Sequence, residues 1–319
     1  MADKPKIALY WCSSCGGCEE SVVDLAEGVL ELVGRADIVF WPVAIDTKYK
    51  DLGALRDGEI AVTLINGAIR MDEQESMARL LRKKSKLLMA HGSCAHLGGV
   101  VGLANFFDRE AILHRVYQGV PTIEQTGDPV FPGDDLVPDA GLPHFSDRVQ
   151  TLDQVVPVDY YIPGCPPTPE LIQAAIWGVL ENSLPEKGAV LADDKALCHT
   201  CPRVESKPER IRLQRFRRVY EVEWDPTRCF LEEGLICLGP LTRGGCGARC
   251  IQANMPCRGC FGPLDNVVDP GAKASALLSA ILDAADAETL KQVAGTIPDP
   301  GGLFYRYGLA ASMFRGKVK

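Results

Sequence analysis

An apolar run, Lys6 to Trp11, leads directly into Cys12-Ser13-Ser14-Cys15-Gly16-Gly17-Cys18-Glu19-Glu20, and a helical pattern begins immediately behind it. A strand that ends in a thiol-rich turn and then a helix is the opening unit of an open α/β sheet. Such sheets bind ligands in the crevice beyond the carboxyl ends of their strands. Cys94 closes a second apolar segment, residues 86–94, and Cys165 closes a third, residues 155–165. Three strand ends are therefore expected to deliver four thiolates, Cys15, Cys18, Cys94 and Cys165, to one point.

The segments between them alternate in period. Residues 19–35 read as a helix, with Val22, Leu25, Ala26, Val29, Leu30 and Val33 at helical spacing and Gly34 as a stop. Residues 37–43 and 58–67 read as strands, the latter nearly unbroken in apolar residues, as in a parallel sheet covered on both faces. Residues 72–85 form an amphipathic helix whose last turn carries Arg82, Lys83 and Lys84, favourable against the helix dipole. Strands alternating with helices predict a flavodoxin-like, doubly wound parallel sheet. From 119 to 150 the pattern lapses into Pro, Gly and Asp, a long excursion of the kind that is often functional. A helix from Pro166 through Leu180 closes the first unit, and the stretch 182–188 marks a boundary. The expected division is 1–187 and 188–319.

Beyond the boundary the composition changes. Eight of the thirteen cysteines fall between 198 and 260, and no long periodic segment accompanies them until an Ala/Leu-rich helix near 273–295. A region poor in regular core and dense in thiols is typically held together by metal. Its spacings sort into two sets of four: Cys198, Cys201, Cys229 and Cys237, then Cys246, Cys250, Cys257 and Cys260. A [4Fe–4S] cube wants one thiolate on each of four irons, and a C-x-x-C turn reaches two adjacent corners without straining the backbone. A single C-x-x-C is shared with zinc and redox dithiols. Twelve cysteines in three sets of four are far more specific. The thirteenth, Cys12, is read as a buried spectator.

Composition narrows the setting. The formal charge of −8 argues against nucleic acid as a partner. No run of eighteen apolar residues is present to span a membrane, and the first residues lack the apolar core of a secretory signal. The expectation is a cytoplasmic protein, where thirteen cysteines serve metal sites rather than disulfides. Neither a phosphate-binding G-x-x-x-x-G-K nor a G-x-G-x-x-G fingerprint occurs.

The motifs Cys15-Gly16-Gly17-Cys18-Glu19, Gly92-Ser93-Cys94, Pro163-Gly164-Cys165-Pro166-Pro167, Cys198-x-x-Cys201, Cys237-x-Gly239-Pro240 and Pro256-Cys257-x-Gly259-Cys260 resemble, in this order, the small electron-transferring subunit of [NiFe] hydrogenases. The resemblance implies three [4Fe–4S] clusters: proximal on Cys15, Cys18, Cys94 and Cys165; distal on Cys198, Cys201, Cys229 and Cys237; medial on Cys246, Cys250, Cys257 and Cys260. It also implies a partner large subunit holding the nickel-iron site where hydrogen is cleaved. Many members have histidine as first distal ligand and proline where Cys250 stands. Here Cys198 has the right spacing and His199 the wrong one, and Cys250 predicts a complete medial cube. All-thiolate ligation adds negative charge and lowers the potential. The pattern is most similar to the viologen-reducing, F420-non-reducing group, whose members commonly pass electrons to an iron-sulfur or flavin subunit of a heterodisulfide reductase-type complex.

Two other readings compete. A complex-I-like cluster subunit typically has adjacent cysteines in the first turn and no eight-cysteine extension. A zinc-stabilised scaffold explains the strand-end quartet poorly. Among lesser features, His91 and His96 read as packing groups, and Glu19 and Glu20 as acids favoured by the first helix dipole. The basic stretch Lys207, Arg210, Arg212, Arg215, Arg217 and Arg218 reads as a half-exposed strand suited to docking an acidic acceptor subunit.

Overall fold

The computed structural model describes residues 4–124, 141–223, 225–284 and 286–314. Its strands are β1 (Lys6–Trp11), β2 (Asp37–Phe40), β3 (Ile60–Asn66), β4 (Ile69–Met71), β5 (Ser85–His91), β6 (Phe145–Gln150) and β7 (Tyr160–Ile162). The helices are α1 (Gly17–Val23), α2 (Glu27–Arg35), α3 (Tyr49–Ala54), α4 (Asp72–Lys84), α5 (Gly92–Leu97), α6 (Arg109–Tyr117), α7 (Pro169–Leu180), α8 (Arg249–Gln252), α9 (Pro270–Ala280), α10 (Ala287–Gly295) and α11 (Pro300–Phe304).

Five strands form one parallel sheet in the order β2-β1-β3-β5-β7. This is the flavodoxin-like order, in which the sequence of strands reverses beside β1. Successive side chains of a strand point to opposite faces, so Ala8, Tyr10, Leu88 and Ala90 pack beneath α3 and α4 with Leu52, Met77 and Leu81. Ile7, Leu9, Val62, Leu64 and Met89 face the other way, against Leu32 of α2 and Ile172 and Ile176 of α7. A separate apolar cluster holds the C-terminal part together, from Leu197 through Phe216, Phe230, Leu235 and Leu278 to Leu303.

Several elements differ from the periodic reading. The helix expected over 19–35 is two, broken around Ala26, where φ is +52°. Val22 and Leu32 both enter the same apolar cluster, yet on one straight helix they would lie roughly 80° apart around the axis. The strand expected through Val43 stops at Phe40, just ahead of Pro42. The segment 86–94 is strand only to His91, and Cys94 lies in the following α5. The helix near 273–295 is α9 followed by α10. Of the 119–150 excursion, residues 125–140 lie outside the described residues; residues 145–150 are β6, which pairs antiparallel with β4. The basic stretch 207–218 is not a strand: it forms only isolated bridges, Leu213 to Leu282 and Arg217 to Leu235. Its buried positions, Leu213 and Phe216, are three apart, which a two-residue period does not produce.

Candidate metal centres

The four strand-end cysteines converge. Cys15 stands in the turn after β1, Cys18 in α1, Cys94 in α5 directly after β5, and Cys165 three residues beyond β7. Cys18 and Cys94 are buried, whereas Cys15 and Cys165 are exposed at the rim. Burial, with the neighbouring Cys165 and Cys15 sulfurs, pushes the Cys94 thiol up to about 12, against the amides of Val100 and Val101. Burial followed by Cys94, Cys165 and Cys15 raises Cys18 as well. Sulfurs that feel one another in this way share a site.

Two glycines make room for them. A side chain on Gly92, at φ +86°, would run into the Cys18 sulfur, and one on Gly99, at φ +59°, into the Cys94 sulfur. Ser93, between Gly92 and Cys94, ties two strand-end segments to the C-terminal cysteine region. Its amide and hydroxyl donate to Gly164 O at 2.7 and 2.8 Å, and the hydroxyl also meets Cys260 O. Asn66, at the end of β3, joins Glu19, and Ser14 Oγ donates to Asn66 Oδ1 at 2.9 Å. Trp41 Nε1 donates to the other Glu19 oxygen. Burial pushes the Glu19 carboxyl up against these two donors. Glu19 stands in the first turn of α1, as expected, and is buried and bonded there. Spacing does not single out Asn66 or Trp41, although an asparagine closing an apolar run is a readable signal.

The C-terminal sets adjoin one another. Cys198 is pushed up to about 11 by burial, against Lys207 and with Cys201 and Cys229. Cys257 also reaches about 11 through burial, held back by the Gly259 amide and the Thr242 hydroxyl, with Cys246 and Cys250 close by. Cys237 lies at the seam: its thiol is raised by burial and then by Cys257, with the amides of Gly239 and Cys257 opposing, and it also feels Cys198. Gly239 packs there, since a Cβ on it would be 3.5 Å from both the Cys198 and Cys237 sulfurs. Cys260 feels Cys257, Cys246, Cys250 and also Cys165. The three sets adjoin one another: the hydroxyl of Ser93, next to Cys94, meets Cys260 O, and the amide of Leu238, next to Cys237, donates to Cys257 O at 3.0 Å.

The remaining candidates separate from these sets. Cys12 is buried with Tyr10 and Phe40 in the sheet core, and burial alone raises its thiol. His91 is buried and His96 half-buried; desolvation lowers both to about 4, with Asp153 opposing at His96. The His96 ring packs 4.5 Å from that of Tyr161. His199 is exposed. Among the described residues, no three His, Cys, Asp or Glu side chains gather closely enough to hold one metal ion. A zinc tetrahedron needs four sulfurs about 2.3 Å from a single centre, whereas a cube gives each thiolate its own iron.

The family described as "NADH ubiquinone oxidoreductase, 20 Kd subunit" matches residues 15–179, the region of the sheet. Over nearly its whole length the chain is also similar to hydrogenase subunits. It is 36% identical over 321 residues to an F420-non-reducing hydrogenase iron-sulfur subunit from Archaeoglobus profundus, covering 98% of each. It is 34% identical over 326 residues to an F420-non-reducing hydrogenase subunit from Methanothermobacter thermautotrophicus, covering 100% of this chain and 99% of the relative. The chain belongs to the hydrogenase small-subunit family. A chain in the crystal structure of an NAD+-reducing [NiFe]-hydrogenase in the H2-reduced state superposes with a TM-score of 0.50 at 28% identity, over 57% of this small subunit and 94% of that chain. As a hydrogenase small subunit, the protein is part of an oxidoreductase. The eight-cysteine extension, which lies beyond the 15–179 match, is covered by the hydrogenase relatives and separates this chain from a complex-I-like subunit. No helix among the described residues is long and apolar enough to cross a membrane.

Proposed function

We propose that this hydrogenase small subunit relays electrons between the nickel-iron site of a partner large subunit and an external low-potential acceptor, in the cytoplasm, through three [4Fe–4S] clusters. Bound clusters would supply one-electron carriers spaced along the chain. The proximal set is Cys15, Cys18, Cys94 and Cys165, the medial set Cys246, Cys250, Cys257 and Cys260, and the distal set Cys198, Cys201, Cys229 and Cys237. Residues 1–187 would carry the first set and 188–319 the other two. The observation that carries this reading is that the quartets adjoin, the Ser93 hydroxyl beside Cys94 meeting Cys260 O and the Leu238 amide beside Cys237 donating to Cys257 O at 3.0 Å.

The chain's own groups suit the task. Glycines at 92, 99 and 239 leave the sulfurs uncrowded. The amides of Val100, Val101, Gly239 and Gly259 point at sulfurs and stabilise negative charge there. Cysteine in place of histidine at 198 adds negative charge to the distal set and favours a low potential. The exposed rim at Cys15 and Cys165 faces outward, where a large subunit would cover it. The acceptor fits an iron-sulfur or flavin subunit, as in heterodisulfide reductase-type complexes. Anaerobic purification with the large subunit should yield about twelve irons and as many acid-labile sulfides per small subunit. A count near eight, or an oxidised-state EPR signal from a three-iron cluster, contradicts three complete cubes.

A further inference from the structure

The geometry points to a docking surface for an acidic, one-electron redox protein, centred on Tyr220 and ringed by Arg217, Arg218 and Arg258. This inference rests on the relay reading and names where that relay would be emptied. A cleft of about 280 Å³ opens here, and no aspartate or glutamate lines it. Its walls include Leu235 and Ile236, which run directly into Cys237, and Met255 and Pro256, which run directly into Cys257. Arg258 itself stands between Cys257 and Cys260. A protein seated in the cleft thus touches residues one or two positions along the chain from Cys237 and Cys257, where the second and third quartets adjoin.

The surface has the make-up of an interface rather than of ordinary solvent-facing polypeptide. Tyr220 is 86% exposed and Met255 42% exposed, an unusual exposure for an aromatic and a thioether side by side. Tyrosine, methionine and arginine are the residues enriched at protein–protein contacts. Arg217 and Arg218 are exposed, and among the described residues neither forms an ion pair; of the cations in 207–218, only Arg212 does, with Asp283 at 2.9 Å. The backbone holds the rim in place, with Arg217 N donating to Gly234 O at 2.9 Å. Glu221, next to Tyr220, accepts from Arg218 N at 2.6 Å, and the three arginines still leave the rim net cationic on a chain that carries −8 overall, which orients an acidic partner toward it.

The test uses the complete hydrogenase, large and small subunits with clusters loaded, and a plant-type [2Fe–2S] ferredoxin as the acidic probe. Each H2 cleaved gives two protons and two electrons, and each oxidised ferredoxin takes one electron, so two ferredoxins are reduced per H2. Wild-type kcat/KM for ferredoxin should fall steeply with added salt. In Arg217→Glu/Arg218→Glu it should drop about tenfold or more, with a flattened salt dependence. Tyr220→Ala, which removes an exposed ring, should lower it roughly fivefold at constant ionic strength. Reduction of methyl viologen, a small dication that needs no protein interface, is followed in parallel. Unchanged ferredoxin kinetics in both variants would overturn the docking surface, as would release of the large subunit from the charge-reversed complex. A wild-type complex that reduces neither ferredoxin nor viologen with H2 would count against the relay reading instead.

Discussion

Single positions decide whether the sulfurs hold whole clusters. Cys250 is the second residue of α8, whose first turn has no partner for its amides. Proline is tolerated in a first turn, so Cys250→Pro should leave the backbone intact and act on iron alone. The expected outcome is one iron fewer per chain and a new oxidised-state EPR signal from a three-iron cluster; unchanged iron and a silent spectrum would remove Cys250 from the ligand set. Gly92 poses the opposite problem, of space rather than chemistry. Its φ of +86° disfavours any side chain by about 1–2 kcal/mol, and a methyl group there collides with the Cys18 sulfur. Gly92→Ala should therefore lose about four of twelve irons, those of the strand-end set, while the other eight stay. Full iron content in that variant would show that Cys18 is free to move aside.

At the scale of elements, one buried side chain, Asn105 in the turn that follows α5, ties down β6. Asn105 Nδ2 donates to Val149 O at 2.9 Å, and Val149 N donates to Asn105 Oδ1 at 2.7 Å. Asn105→Ala leaves both backbone groups of Val149 buried without partners, at a cost of about 2–4 kcal/mol. Hydrogen exchange at the Val149 amide should quicken by about two orders of magnitude, with β3 unaffected; equal protection in the variant would mean that water takes over both bonds. The β4–β6 ribbon is not legible in the sequence, because β4 and β6 are short and pair across more than seventy residues. The parallel sheet is, because β3 and β5 are apolar runs covered on both faces and β5 leads directly into a helix. The break in the first helix escapes a periodic reading since no Gly or Pro falls between Asp24 and Ala26, while Val22 and Leu32 on either side of it share a cluster with Ile172 and Ile176 of α7. The basic stretch misleads because its alternation mimics a strand, while its buried residues follow the local turns. Within the site, the twelve cysteines stand out by spacing alone. The glycines that cradle their sulfurs, and the Asn66–Glu19–Trp41 contacts, depend on which strands are neighbours, and spacing along the chain does not report that.

Over the whole molecule, the two halves are stabilised by different means. The sheet buries two apolar layers, one on each face, with β1, β3 and β5 at its centre. Residues 197–262 have one apolar cluster but only short helical turns among the described residues, and eight cysteines thread through it. Regions so built draw their folding free energy from metal. Stripping iron anaerobically should consequently not melt the chain as one unit. Amides of the segments around Cys198, Cys229 and Cys246 should exchange near the unfolded rate, while those of Leu9, Leu64 and Met89 remain protected. Two of the contacts that bridge the halves, Ser93 to Cys260 O and Arg249 to Glu170 at 2.8 Å, should loosen with the first group, since one partner of each belongs to it. If protection is lost evenly across β1, β3 and β5 as well, the sheet also depends on its sulfur-bound iron, and the strand-end quartet contributes to folding as much as the other two.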